Sequence, residues 1–562
     1  MNKMYMKTII LVTCIVNSLQ KSSINIRDRS SEGDPIVTIE DGKIRGRHDE
    51  TVDLKKPYIT FQGIPYAKPP LGNLRFSPPE KNSNWSGILD ATKEKPECVQ
   101  GTLDITGSED CLYINVYTTS LTQKKAVMVF IYGGSFVLGN SSYSQYPPDW
   151  LLEADVVYAS FNYRVGVFGF ISTLDEVAPG NIGLKDQCLA LKWVKHNIDR
   201  FGGDPNRITI FGESAGSASV SYQLQSTCAR GAYNRAILQS GTSLCLWALH
   251  RRAKRTAHDI ARFFHVDSWN TSKILEGLRK VDYKTLQQVS IGIASRIALE
   301  NPLAGIQFGP VIEPYHNGAF FYNYSEKGLS EGYFDHVPTI IGVNSNEGAA
   351  TGSIPALIRL YLLKYDIQFE LLAPEDLTKY LLDRRIAALA IKTRYFNIFP
   401  LSIQTESVIK FISDDQFNRP VLRTAGNMAK YSPVYFYVFS YEGRLGGVEQ
   451  RTVPGVRHTE DLGYIFRGFP TRINNISESD KLTSNRIIKL WTNFAKYGNP
   501  THQNDSVLQN VIWPLSSSIS NSLVYLNISA NLEIGINPFH DNMKFYEKEI
   551  YGKYGQPPYD TY

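Results

Sequence analysis

Ile208–Val220 reads ITIFGESAGSASV. Ile208–Phe211 has the character of a strand, Ser217–Leu224 that of a helix, and Gly212-Glu213-Ser214-Ala215-Gly216 between them fits G-x-S-x-G. A strand that turns this sharply into a helix needs small residues two positions either side of the central one, because larger side chains there would clash. The turn predicts an exposed Ser214 hydroxyl at a helix N-terminus, where backbone N–H groups and the helix dipole favour developing negative charge. Five-residue patterns recur by chance, but this one gains weight from its place between strand and helix.

On both sides of this segment, short apolar runs alternate with helical stretches. AVMVFI at Ala126–Ile131, DVVYASFNY at Asp155–Tyr163 and AIL at Ala236–Leu238 read as strands, as do TIIGV at Thr339–Val343 and VYFYVF at Val434–Phe439. Continuous apolar runs of this length suit strands covered on both faces of a mostly parallel sheet. Gln187–Asn197 (QCLALKWVKHN) puts Leu189, Trp193 and Val194 near one helical face. From about Leu357 to Ile412 the chain is helical in tendency without strand punctuation, which predicts a helical insertion over the sheet. The class is α/β with one long sheet carrying excursions.

The motifs together resemble the type-B carboxylesterase/cholinesterase family of α/β-hydrolases. The resemblance runs from about Pro35 to Pro514. It includes FQGIPYAKPPLGNLRF (Phe61–Phe76), SEDCLYINVY (Ser108–Tyr117), IYGGSFVLG (Ile131–Gly139), NYRVGVFGF (Asn162–Phe170) and GNIGLKDQCLALKWV (Gly180–Val194). FGGDPNRITIFGESAG (Phe201–Gly216), RAILQSG (Arg235–Gly241), GVNSNEG (Gly342–Gly348), GVRHTEDLGYIF (Gly455–Phe466) and WTNFAKYGNP (Trp491–Pro500) follow in order. The resemblance implies an α/β-hydrolase fold with a large, mostly parallel central sheet flanked by helices. It also implies one catalytic domain over residues 19–562, in place of the three or four domains that length alone suggests.

A serine nucleophile needs a base within hydrogen-bond reach and a carboxylate to orient that base, in the chain order Ser, acid, His for this fold. The resemblance assigns these roles to Ser214, Glu347 and His458. Glu213 is the rival acid, placed by the family beside the site. The oxyanion donors implied are the backbone N–H groups of Gly134, Ser135 and Ala215. Ser135 departs from the family's usual Gly-Gly-Gly/Ala run, and its hydroxymethyl group is expected either to crowd the acyl carbon or to demand a particular rotamer. Arg75 with Glu109, and Arg164 with Asp186, resemble the family's buried charge pairs.

The implied activity is hydrolysis of a small-molecule carboxylic ester through an acyl-enzyme, without metal or other cofactor. A cholinesterase is disfavoured because Val99–Asp110 (VQGTLDITGSED) lacks the aromatic residue that binds a cationic head. A juvenile-hormone-esterase-like or other specialised esterase is the enzymatic alternative, although those esterases typically have Gln where this chain has Glu213. A cholinesterase-like adhesion or binding protein is the non-enzymatic alternative. Ser135 favours it, whereas the retained Ser214, Glu347 and His458 oppose it.

The 562 residues carry a net charge of +5, too small an excess over such a length to indicate nucleic-acid binding. Aromatics at 12% and charged residues at 20% rule out a disordered chain. Lys3 and Lys7 precede an apolar run, Thr8–Val16, whose helix would rise only about 14 Å, too short to span a bilayer. Residues 1–18 therefore read as a secretory signal peptide with an approximate cleavage site, and the expected product is secreted, without a membrane span. Sequons at Asn84, Asn140, Asn270, Asn323, Asn475, Asn504 and Asn527 are glycosylation candidates. Cys98 and Cys111 are near enough in sequence to close a short loop, and the resemblance matches them to the family's first disulfide. Cys188, Cys228 and Cys245 leave an odd thiol however they pair. By resemblance Cys245 lies where a second disulfide begins, but its usual partner is missing near residues 264–266, so it is either free or paired with Cys228. Oligomeric state is left open.

Overall fold

The computed structural model describes residues 33–562, apart from residue 268, residues 302 and 304–305, and residues 352–355, 471–475 and 517–521. Residues 1–18, expected from the sequence to be a signal peptide, and Asn475 lie outside the described residues.

In chain order the strands are β1 (Ile36–Ile39), β2 (Gly42–Arg45), β3 (Arg47–Glu50), β4 (Pro57–Pro65), β5 (Ile88–Asp90), β6 (Tyr113–Thr118) and β7 (Lys125–Ile131). They continue with β8 (Val157–Phe161), β9 (Gly203–Glu213), β10 (Arg235–Gln239), β11 (Thr339–Asn344), β12 (Val434–Phe439), β13 (Val524–Ile528) and β14 (Leu532–Ile536). Among the described residues, eleven of these form one sheet in the order β3-β4-β6-β8-β7-β9-β10-β11-β12-β13-β14, and β1, β2 and β5 form a small second one. The run from β8 through β13 is parallel, and the flanking pairs are antiparallel.

Burial explains which strands the sequence announces. Every residue of β7, β8, β11 and β12 is buried, so these strands are apolar on both faces. The outer strands β3 and β14 are mostly exposed and carry mixed sequences such as RHDE and LEIGI. These gave no apolar run to read. The helix expected at Gln187–Asn197 starts earlier and spans Ile182–Asn197. The added residues include Asp186, which pairs with Arg164 at 2.6 Å with both side chains buried.

Helix Ala215–Gln225 follows β9 and packs back on the sheet. Helix Glu478–Tyr497 packs against β7 and β9. The helical insertion comprises Ala356–Ile367, Leu381–Tyr395 and Thr405–Ser413. It continues beyond the expected end through a π-helical turn, Asp414–Asn418, into Arg419–Met428.

Among the described residues two disulfides are present, Cys98–Cys111 and Cys188–Cys228, and Cys245 is free and buried. The choice left open by the sequence is thus resolved against a Cys228–Cys245 pair. Arg75 and Glu109 meet through two 2.6 Å hydrogen bonds.

The chain reverses direction across the sheet at β7. The connection to β8 goes to one side of it and the return to β9 goes to the other. A crevice opens at the carboxyl ends of parallel strands where the order reverses in this way.

Candidate active site

Ser214 sits at this reversal, immediately after β9. Its φ of 57° and ψ of −124° are unusual for a residue with a side chain, and they form the turn between β9 and helix Ala215–Gln225. The turn is held by Ser214 N donating to Gln239 O at 2.9 Å and Ala218 N donating to Ser214 O at 2.9 Å. A Cβ on Gly216 would lie 1.9 Å from Ile131 O, and one on Gly212 would lie 2.5 Å from Gly216 C. Both glycines of the motif are therefore required by close backbone approach.

Three distant segments meet here. His458 Nε2 lies 2.8 Å from Ser214 Oγ, and His458 Nδ1 lies 2.7 Å from Glu347 Oε2. Glu347 is fully buried just past β11, and Asn344 N donates to its Oε1 at 2.8 Å. His458 N also donates to Glu347 O at 3.3 Å, so backbone and side chain hold the imidazole together.

A second tier of polar groups surrounds the imidazole. Glu213 Oε1 is 3.3 Å from His458 Nε2. Asp461 accepts from Gln239 Nε2 at 2.6 Å and from Asn344 Nδ2 at 3.1 Å, and Trp491 Nε1 donates to Gln239 Oε1 at 3.2 Å. Burial opposes charge on His458, but Glu213, Glu347 and Asp461 outweigh it and raise the imidazole to about 9. Burial raises Glu213 to about 8 and Asp461 to about 6. Asp461, Gln239 and Asn344 escaped the sequence reading because they act through hydrogen bonds between distant segments, and spacing carries no trace of those.

The loop after β7 lies against the serine. A Cβ on Gly133 would lie 2.6 Å from Glu213 O and 3.1 Å from Ser214 Cβ. Gly134, Ser135 and Phe136 follow with φ of 113°, 54° and 58°, and Gly134 O accepts from the N–H groups of Val137 and Leu138. Residues with side chains rarely take such angles, so Ser135 and Phe136 are held in them by the surrounding structure. Phe136 is buried, whereas Ser135 is exposed. Gln100, between the disulfide cysteines Cys98 and Cys111, bonds to both N and O of Gly139 at 2.7 and 3.0 Å. The disulfide loop thus braces the loop that carries Gly134 and Ser135.

Aromatic walls come from elements that show no motif. The Phe417 ring lies 4.6 Å from the His458 ring, and Trp247 lies 5.8 Å from Phe417. Trp247 Nε1 donates to Gln416 O at 3.0 Å. Phe417 belongs to the turn Asp414–Asn418, which is anchored from behind by Arg419. That guanidinium is buried, pairs with Asp415 at 3.1 Å, bonds to Tyr551 Oη at 2.8 Å, and faces the rings of Tyr546, Tyr551 and Tyr562.

Among the described residues no group of three or more His, Cys, Asp or Glu side chains is placed to hold a metal ion. Of the sequon asparagines, Asn84, Asn270, Asn323 and Asn504 are exposed. Asn140 already donates to Glu97 at 2.8 Å, and Asn527 lies half-buried in β13, accepting from Ser440 Oγ at 2.5 Å.

The family model for the carboxylesterase family matches residues 33–546. The chain is 34% identical to juvenile hormone esterase of Tribolium castaneum, covering 84% of this chain and 85% of that one. It is 33% identical to venom carboxylesterase-6 of Apis mellifera, covering 91% and 94%. The crystal structure of juvenile hormone esterase from Manduca sexta, with OTFP covalently attached, superposes with a TM-score of 0.82 at 29% identity, covering 92% of this chain and all of that one. The likeness spans nearly the whole α/β-hydrolase sheet and its helices, so the chain belongs to the carboxylesterase family and is a carboxylic-ester hydrolase.

Proposed function

We propose that this chain is a secreted serine esterase whose chemistry is carried by Ser214, His458 and Glu347. The observation that supports this most is the continuous line of contacts from Ser214 Oγ through His458 to Glu347, at 2.8 and 2.7 Å. His458 takes the Ser214 proton as the hydroxyl attacks the ester carbonyl, and Glu347 fixes the ring and stabilises the imidazolium. The tetrahedral oxyanion is received by the N–H groups of Gly134, Ser135 and Ala215. His458 then protonates the leaving alcohol and activates the water that releases the acid from the acyl-enzyme. Residues 19–562 act as one catalytic unit, and Asn84, Asn270, Asn323 and Asn504 are the sequons most open to glycans.

The half-buried rings of Trp247 and Phe417 beside the reacting atoms favour esters with an apolar group on at least one side of the carbonyl. The relatives named juvenile hormone esterase support a hydrophobic substrate, although Glu213 departs from the Gln expected of such enzymes.

Ser214→Ala tests the assignment. Turnover of a short-chain aryl ester should fall by about a thousandfold or more while the fold is kept. Glu347→Gln should also lower it strongly. Activity of folded Ser214→Ala within tenfold of the parent would remove Ser214 from the role, and full activity in Glu347→Gln would move the acid role to Glu213. Esters of graded acyl length, assayed on the parent, would then define the substrate class.

A further inference from the structure

Helix Leu381–Tyr395 has two apolar faces. Ala387, Ala388, Ile391 and Tyr395 are buried against the insertion. On the opposite side Leu382, Ile386 and Leu389 recur at helical spacing and face outward, Leu382 at 70% exposure. The chain then enters a loop in which Ile398 is 95% exposed and Phe399 and Ile403 are more than half exposed.

This loop is internally bonded. Asn397 N donates to Gln404 Oε1 at 3.1 Å, Phe399 N to Asn397 Oδ1 at 2.9 Å, and Gln404 Nε2 to Phe399 O at 2.6 Å. Leu401 N donates to Asp366 Oδ1 at 3.0 Å, which joins the loop to the end of helix Ala356–Ile367, where Ile367 is 82% exposed. The apolar tips are therefore presented by a fixed framework. Such a run of exposed apolar side chains on consecutive elements exceeds the scatter expected on a water-facing surface.

Cations accompany the stripe. At 100° per residue, Arg385 and Lys392 fall within about 60° of Leu389 around the helix axis. Lys379 is exposed just before the helix. Among the described residues none of these three is engaged in an ion pair. Asp383 lies on the other flank, and the next helix adds one exposed residue of each sign, Glu406 and Lys410.

We propose that this face seats the protein on an anionic lipid surface. Leu382, Ile386, Leu389, Ile398 and Phe399 enter the boundary between headgroups and acyl chains, and Lys379, Arg385 and Lys392 meet lipid phosphates. No described helix is long and apolar enough to cross a membrane, so the attachment is superficial. A second copy of the chain fits less well, because a twofold contact would bring the same cations together. The insertion that carries this face also supplies Gln416 and Phe417, so the seated face and the wall beside His458 belong to one stretch of chain.

The test is co-sedimentation of the full chain with phosphatidylcholine vesicles, with and without phosphatidylserine, at low and high salt. The parent should bind the phosphatidylserine vesicles and release with salt. Ile386→Ser with Ile398→Ser and Phe399→Ser should lower binding by about tenfold or more, with unchanged turnover of a water-soluble ester. Lys379→Glu with Arg385→Glu should abolish the preference for phosphatidylserine. A parent that stays in the supernatant, or a serine variant that binds as well as the parent, would overturn the proposal. So would a parent dimer, seen by sedimentation velocity, that the serine variant converts to monomer, since the face would then belong to a second copy.

Discussion

Glu213→Gln separates two effects of the carboxylates around His458. The amide keeps the shape of the side chain and removes its charge. At 3.3 Å and an effective dielectric of about 20, opposite unit charges attract by about 5 kcal/mol. Burial raises Glu213 itself to about 8, so near neutral pH it is only partly ionised and the attraction realised is a fraction of that figure. About 1.4–2.8 kcal/mol corresponds to one to two pH units. The sign follows from His458. Burial disfavours its protonation, and Glu213 is foremost among the groups that overcome this and raise it to about 9. Removing the charge lets the imidazole lose its proton at lower pH. The acid limb of kcat/KM against pH should therefore move down by about one to two units. The plateau should fall by about tenfold or more, because the imidazolium formed during attack loses a neighbouring charge. Glu213 and His458 titrate as a coupled pair, so the whole profile is compared, with an aryl ester that does not itself titrate. An acid limb that stays in place or moves up, in folded protein, would refute the reasoning.

Ser135→Gly should raise the ratio of branched-acyl to acetyl ester turnover without lowering thermal stability. The φ of 54° costs a residue with a side chain about 1–2 kcal/mol, more than the roughly 0.5–1 kcal/mol of extra freedom that glycine brings; a lower ratio would show that the side chain helps larger acyl groups. His250 is buried, and burial depresses it to about 3, so its contribution to stability is complete above about pH 6.5 and is lost as pH falls towards 3. At pH 5 that loss is about 2 kcal/mol, and His250→Gln should flatten the fall of Tm between pH 6.5 and 5; an unchanged slope would exclude the residue as a source of acid sensitivity. Replacing Cys188 and Cys228 by Ser should cost about 4 kcal/mol in urea unfolding, against about 3 kcal/mol for Cys98 and Cys111, because the separations closed are 40 and 13 residues. Only the second pair should also reduce turnover, since Gln100 in that loop braces Gly139; equal losses of activity would argue against the bracing.

The central strands were legible as apolar runs and Ser214 as the centre of a strand-to-helix turn, whereas Glu347 and His458 were singled out by the family resemblance, since neither carries a pattern of its own. Residues on parallel strand ends converge whatever the intervening chain does, so segments 133 and 111 residues apart arrive together. The outer strands β3 and β14 were not legible, since antiparallel edge strands with mixed, mostly exposed sequences depend on pairing rather than on apolar runs. Phe417 and Trp247 escaped for a different reason. An aromatic residue in a helical insertion, like Phe417, or in a short turn after β10, like Trp247, looks like ordinary packing until its neighbour is known. The Cys188–Cys228 bond likewise depends on tertiary distance, which the spacing of three cysteines does not encode.

The Arg419 cluster gives the site a second support, joined to the first where Gly348 N donates to Ser413 Oγ at 2.8 Å. Ser214, Glu347 and His458 follow the ends of sheet strands or the loops beyond them, whereas Gln416 and Phe417 hang from a guanidinium clasped by Asp415 and by rings from the last part of the described chain. Changes at Arg419, Tyr551 or Tyr562 would tilt the Phe417 wall while replacing none of the groups that move protons. Acyl or alcohol preference is therefore free to drift on one set of residues while acid–base chemistry stays constant on another, and variants of the ring cluster should trade substrates against one another at nearly constant reactivity towards small esters.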